Sequence, residues 1–534
     1  MKVVQWRLAL LGVLLIGLAL RLHGIHDPIL DHPAWRQGDT AAIARNFAQI
    51  RYDIMYPQTL YNGPPPNYVE LELQIVPFAA ATLYKLFGIH EIFGRLITLA
   101  FSLATTLLVA YFARWLFDDA LAGITAAFFY AVFPGSVYYG RAFMPDCAMA
   151  FFLAASLYAA SRYLAGEGRL GARGLAGTTL LLTIAYLAKP VAVLALIPLL
   201  GLIAQRTRSR RPTPPAFAAI MLVVPLAVLW LYDRAIASYA EWHWAGGIAQ
   251  LHVLPALSRA FGSAAAFGMK LTNFRIALGM LRQTLLGGIS CAVAIASFAA
   301  VPWIRTRSNA LLWGWLAGGL LYVFVVVTVE RVDYYMLPLL PLAALVIGGA
   351  IARFCTSVRN ADVAPVARYA LWALPAVVAL AVLLGSRAPV AAYYGYSKQV
   401  YRNAVALDRS LPSAALVVIG HYGPDVQYYI DRFGWEEDPV LWTPFDEESA
   451  IRKGARYFIS IEDNRLRRNI ELCAWLTRFP VVDAHEWPVY ETDPRLASRS
   501  AEPFWREFRR AERAGAGRAF LDARGLCRVT ARSR

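Results

Sequence analysis

The sequence predicts a polytopic α-helical membrane protein of about eleven spans. Interfacial helices on its outer face and a small C-terminal α/β domain complete the fold. Three observations carry that expectation. The chain has 534 residues, of which 58% are hydrophobic and only 16% charged, where a soluble chain carries about a quarter charged residues. Its mean hydropathy is +0.45. Its apolar runs have the length that crossing a bilayer demands, and its basic residues fall in alternate connections.

The runs lie near residues 6–22, 96–114, 120–138, 147–163, 174–188, 190–205, 216–234, 284–304, 309–328, 334–353 and 368–386. With the N-terminus inside, the inner connections hold Arg114, then Arg162, Arg169 and Arg173, then Arg206, Arg208, Arg210 and Arg211. Arg305 and Arg307 follow, then Arg353, Arg359 and Arg368. The formal charge of +16 is therefore read as topology. Nothing interleaves basic and aromatic residues as nucleic-acid binding requires. The segment Met1 to Leu22 has Lys2 and Arg7 but no small-residue cleavage site, so it reads as a retained first span.

Two segments decide the parity. Residues 71–88 are read as an amphipathic helix in the outer interface. Residues 174–205 are read as two short spans meeting at Lys189-Pro190, because an ammonium at mid-membrane costs about 2.5–3.5 kcal/mol. The membrane domain is thus expected over 1–386, with its first outer loop at 24–95, and an outer α/β domain over 387–534. In the latter, residues 414–420 and 456–461 read as buried strands and 424–433 as a helix. Residues 501–534 form an arginine-rich surface tail or helix. Cys473 and Cys527 fall in this domain, where a disulfide and two thiols are both open. No metal-type cysteine spacing or internal repeat is present.

The outer face collects charged groups from distant parts of the chain. Asp39 follows the first span, and Glu70 and Glu72 close its loop. Arg141 and Asp146 lie between spans three and four, Lys189 between five and six, and Glu330-Arg331-Val332-Asp333-Tyr334 between nine and ten. Cations beside carboxylates suit phosphate-linked group transfer, in which the cations hold a lipid-linked phosphate while a carboxylate activates a hydroxyl. Each residue also has a plain structural reading. Asp39 and Asp146 would cap helices, Glu70 and Glu72 would face water, and Lys189 and Arg141 would anchor span ends. Glu330 and Asp333 would pair with Arg331, and Trp242-His243-Trp244 would join an aromatic belt. Only six of the 52 basic residues are lysine, which favours Lys189 as a selected point charge.

At these residues the chain resembles the GT-C glycosyltransferases of the protein O-mannosyltransferase and lipid A aminoarabinose transferase group (family 39-like), over roughly residues 6–350. The resemblance rests on Asp39, on the acidic segment Glu70 to Gly88, and on Gly94-Arg95-Leu96. It continues with Gly140-Arg141-Ala142-Phe143-Met144-Pro145-Asp146, then Leu187-Ala188-Lys189-Pro190, then the run from Tyr334 to Pro341. It implies transfer of a sugar from a polyprenyl phosphate to a glycan, lipid or protein acceptor, usually with inversion. The setting it implies is the periplasmic side of a bacterial inner membrane. Asp39 takes the catalytic-base role by this resemblance, with Glu72 and Asp146 beside it; the family's acid before the interfacial helix matches either Glu72 or Glu70. Lys189 and Arg141 take the donor phosphate, and Arg331 stands in as a further phosphate contact where relatives often have a His before the late span. Glu70, Arg95, Glu330, Asp333, Tyr139 and Tyr334 are accessory. Thr40 stands where relatives often have Glu, and Ala-Lys-Pro replaces Thr-Lys-Gly. No cofactor is required; magnesium or manganese is compatible with the acids, though no spacing demands it. The rival readings are a transporter or flippase of lipid-linked sugars, and a non-catalytic envelope scaffold.

Overall fold

The computed structural model describes residues 3–165, 171–209, 213–362, 364–484, 487–497, 500–517 and 519–520. Arg169, Arg210, Arg211, Cys527 and the end of the arginine-rich segment lie outside the described residues. The chain divides into two compact units. One comprises residues 1–27, 53–55 and 70–394, and the other residues 28–52, 56–69 and 395–534.

The first unit is a bundle of apolar helices. Eight described helices are long and apolar enough to cross a membrane, or nine with a bent pair counted as one span. The chain is a multi-pass membrane protein. That pair, Ala264–Leu286 and Gly288–Trp303, is bent by 110°. The bend falls at Gly287, whose φ of +77° suits glycine. The sequence run at 284–304 is thus only the second arm of a longer element. Two other runs become short helices, Ala120–Val132 and Ala172–Ala188. The first of these stops before Pro134, which disfavours helical backbone at Phe133. The second stops at Lys189, whose φ of −168° and ψ of 127° are extended ahead of Pro190. A 3-10 turn, Pro190–Ala195, then leads into the helix Leu196–Arg208. The segment expected at 71–88 forms the apolar helix Ile75–Phe87.

Glycines set how closely these helices approach. A Cβ on Gly348 would lie 2.5 Å from the Ala122 carbonyl oxygen, and one on Gly123 would lie 2.6 Å from that of Ala110. The helices Leu339–Asn360, Ala120–Val132 and Glu91–Phe117 therefore meet backbone to backbone, the small-residue mode of membrane packing. Arg21, at the end of Val3–Arg21, is fully buried. It donates to the Gly17 and Ala131 carbonyls at 2.8 and 2.9 Å and to the Ser102 and Ser136 hydroxyls at 2.8 and 2.7 Å. These bonds tie the first helix to its neighbours in the bundle.

The second unit is an α/β fold around a five-stranded sheet. The strand order is 434–436, 416–420, 455–460, 487–491, 481–484. The first three strands are parallel, and the last two run antiparallel to their neighbours. Val418 and Phe458 pair across the centre and enter a core with Leu472, Trp475 and Tyr490. The strands read from sequence at 414–420 and 456–461 form as Leu416–Gly420 and Ala455–Ser460. The expected helix forms as Pro424–Ile430. Cys473 is disulfide-bonded. Residues 28–52 and 56–69, which the sequence groups with the spans, pack in this unit instead. Gly63 N–H donates to the Gly434 carbonyl at 2.7 Å and Gly434 N–H to that of Leu60 at 3.0 Å. The polar loop thereby covers the open edge of the strand 434–436.

Candidate active site

In the membrane unit, Asp146 is the first residue of the helix Asp146–Leu164, but its side chain caps nothing. Its Oδ1 accepts from Lys189 Nζ at 2.6 Å instead. Asp146 is 1% exposed and Lys189 is 8% exposed, so Lys189 is not a headgroup anchor. The ammonium lies 4.6 Å from the Tyr335 ring centre and 5.2 Å from that of Tyr334, a cation–π arrangement. Asp146 Oδ2 is buried and has no hydrogen-bond partner among the described residues.

An aromatic run leads from this pair to Arg141. Tyr334 meets Tyr139 at 5.9 Å between ring centres, Tyr139 meets Tyr138 at 5.4 Å, and the Arg141 guanidinium stands 5.0 Å over Tyr138. Arg141 Nη1 donates to the Gly24 carbonyl at 3.0 Å, and Arg95 Nη1 donates to the same oxygen. Both arginines are fully buried. Asp333 is held by hydroxyls: Tyr139 donates at 2.5 Å, Tyr393 at 2.7 Å and Thr284 at 2.8 Å. Glu330 meets His252 Nδ1 at 3.1 Å. The expected pairing of these acids with Arg331 is thus replaced by hydroxyl and imidazole partners. Arg331 is exposed, has φ of +54°, and reaches Asn273 Oδ1 at 3.5 Å.

Glu70 and Glu72 are buried, at 2% and 6% exposure, so neither forms a wet helix face. Glu70 Oε2 accepts from Gly246 N–H at 2.9 Å, and its carbonyl from Trp244 N–H at 3.2 Å. Burial, then Asp233 and Glu72 nearby, push the Glu70 carboxyl up to about 8 against the Gly246 bond. Between Glu72 and Gln74, Leu73 N–H donates to the Leu187 carbonyl at 2.8 Å. That bond stitches the acidic segment to the chain two residues before Lys189.

Asp39 belongs to the α/β unit. The helix there begins at Ala34, so Asp39 sits in its second turn rather than at its cap. It is 2% exposed, and Arg36 Nη1 lies 3.9 Å from its Oδ2. The Tyr61 phenol is pushed well up by burial and by the Asp39 charge. Glu436 is pushed up to about 8, by burial first and then by Asp39 and Glu437. Sequence reasoning singles out neither Glu436 nor Tyr61, nor Thr284 and Tyr393 on Asp333. The one available signal is the acidic run Glu436-Glu437-Asp438. Among the described residues no group of three or more His, Cys, Asp or Glu could hold a metal.

Superposed on ArnT from Cupriavidus metallidurans bound to undecaprenyl phosphate, the chain aligns over 93% of its own length and 99% of that structure, with TM-score 0.59 and 15% identity. The fold is that of the GT-C glycosyltransferases. The apo state of the same ArnT gives TM-score 0.56 and 12% identity over 94% and 100% of the two chains. The archaeal oligosaccharyltransferase AglB from Archaeoglobus fulgidus, solved with an inhibitory peptide and a dolichol-phosphate, gives TM-score 0.56 and 14% identity over 89% and 72%. Residues 74–232 match the family described as dolichyl-phosphate-mannose-protein mannosyltransferase. That segment contains Arg95, Arg141, Asp146 and Lys189. No curated protein matches the chain. The matched segment is thus similar to the protein mannosyltransferases, and the fold is similar to that of ArnT and AglB.

Proposed function

We propose that this protein moves a sugar from a polyprenyl-phosphate donor to an acceptor hydroxyl or lipid phosphate of the cell envelope, with inversion, at the periplasmic face of a bacterial inner membrane. The observation that carries this reading is the buried Asp146–Lys189 pair, 2.6 Å apart and inside the segment that matches the mannosyltransferase family. A lysine held by one carboxylate oxygen keeps further N–H donors for a phosphate. Arg141 and the hydroxyl-bearing run through Tyr139 and Tyr334 supply a second cation and a polar, aromatic wall.

In this reading Lys189 and Arg141 neutralise the donor phosphate, so that it departs as a stable anion. Asp146 fixes the ammonium through Oδ1, and its Oδ2 is the acceptor for a sugar hydroxyl. Glu72 orients the segment joined to Leu187. Asp39 takes the acceptor proton, a role assigned by resemblance and supported by its burial beside Arg36, Tyr61 and Glu436. Arg331, exposed and turned to Asn273, receives no role.

The test is sugar transfer by the purified protein in lipid nanodiscs, with polyprenyl-phosphate sugars as donors. Asp39→Asn is expected to lose about 100-fold or more in rate. Undiminished transfer at normal expression removes Asp39 as the base.

A further inference from the structure

Glu436 ends the strand Gly434–Glu436, and its Oε2 accepts from Gly423 N–H at 2.6 Å. That bond fixes it to the loop 421–425. The same loop is pressed against the helix carrying Asp39. A Cβ on Gly38 would lie 2.6 Å from Asp425 Cα, and one on Gly423 would lie 3.6 Å from Trp35 Cδ1. Trp35, Gly38 and Asp39 share a helix face by their spacing of three and four residues. Tyr61 enters from the strand edge, between Leu60 and Gly63, which both bond to Gly434. Three elements of one compact unit thus bring Asp39, Tyr61 and Glu436 together.

The charges around them are unequal. Arg36 stands on the Asp39 side at 3.9 Å. Glu437 adjoins Glu436 in sequence, and the Tyr422 phenol is pushed up by its burial and then by both glutamates. His421 is the nearby imidazole, held at 2.7 Å by Glu462 and at 3.5 Å by Asp425. Glu462 is also paired with Arg465 at 3.1 Å, and Asp39 acts electrostatically on both Tyr61 and Glu436. Two carboxylates in one partly dry place do not both ionise readily.

We infer that Glu436 is a positioning residue for Asp39: the two carboxyls share one negative charge, with the proton kept on Glu436 and the charge on Asp39. This rests on the base role proposed for Asp39. During transfer the acceptor O–H bond breaks and its proton goes to Asp39. The acceptor oxygen bonds to the anomeric carbon as the bond to the phosphate oxygen breaks, and polyprenyl phosphate leaves with that electron pair. Water then takes the proton from Asp39. A neutral Glu436 keeps Asp39 anionic before the step and lets the proton go after it. An ionised Glu436 raises the proton affinity of Asp39.

Infrared titration of the full-length protein in nanodiscs tests this without any turnover. The carboxylic-acid band missing from Glu436→Gln belongs to Glu436. It is expected to titrate near pH 8, and its midpoint is expected to fall in Asp39→Asn, which removes the neighbouring charge. A midpoint unmoved by Asp39→Asn overturns the inference. The pH profile of transfer gives a second readout. The wild type is expected to show a step near pH 8 that Glu436→Gln lacks. A merely structural Glu436 would leave that step in place, since the glutamine carbonyl still accepts from Gly423. An absence of transfer by the wild type would sink the transferase reading alone, and the infrared result would stand apart from it.

Discussion

Asp146 Oδ1 and Lys189 Nζ lie 2.6 Å apart although 43 residues separate them in sequence. One residue opens a helix and the other fills the break between two helices. The contact answers two needs at once. It offsets the cost of a buried ammonium, and it holds that ammonium by one carboxylate oxygen against two tyrosine rings.

Breaking the pair from one side strands the other charge. Asp146→Ala or Lys189→Ala is expected to cost about 3–5 kcal/mol of stability, read as a lowered thermal midpoint in detergent. The double variant Asp146→Asn, Lys189→Met is expected to recover most of that stability while remaining inactive in sugar transfer. Activity returning together with stability in the double variant would make the pair purely structural.

Asp333 accepts three hydroxyl bonds, from Tyr139, Thr284 and Tyr393. Asp333→Asn puts an NH2 group where an acceptor stood. It is expected to destabilise by about 1–3 kcal/mol. Tyr139→Phe removes one donor and leaves the others, so a smaller loss of about 1 kcal/mol is expected. Thermal unfolding of both variants checks the order.

Gly38 has no room for a side chain, because the added Cβ would meet the Asp425 backbone at 2.6 Å. Gly38→Ala is expected to cost about 1–3 kcal/mol through a forced backbone shift. An unfolding midpoint equal to the wild type would show that the helix does not rest on this loop.

Glu447 is fully buried, with one oxygen accepting the Trp442 indole N–H at 2.7 Å and the other without a partner among the described residues. Burial pushes this carboxyl up to about 8, from 4.5. A folded-state value above the unfolded one means that the fold holds the proton more tightly. The stability it brings is full below pH 4.5 and is lost as pH rises toward 8, levelling off beyond. Glu447→Gln is expected to flatten that fall, and thermal midpoints across this range measure it.

Much of this was legible in the sequence, for identifiable reasons. Lipid demands long apolar helices, so the spans stood out by length and basic flanks. Pro190 beside Lys189 marked the helix break, because proline cannot continue the backbone pairing. Asp39, Asp146 and Lys189 were conspicuous as ionisable residues beside apolar runs. The bend at Gly287 was not legible, since the first arm Ala264–Leu286 is interrupted by Lys270, Arg275 and Arg282. Nor was the packing of 28–52 and 56–69 with the C-terminal residues, because edge-strand pairing is a backbone event with no side-chain signature. Glu436 and Tyr61 escaped for the same reason: their place beside Asp39 depends on how the loop and the C-terminal strand pair, far apart in sequence.

The most direct measurement is retention of polyprenyl phosphate by the purified protein in native mass spectrometry, with the unphosphorylated polyprenol as control. The wild type is expected to hold the phosphate form well above the alcohol, and Lys189→Ala to lose that preference by about tenfold or more, as loss of a charge-assisted contact implies. Equal retention of both lipids by the wild type, or an unchanged preference in Lys189→Ala, would contradict the assignment of this lysine to the donor phosphate.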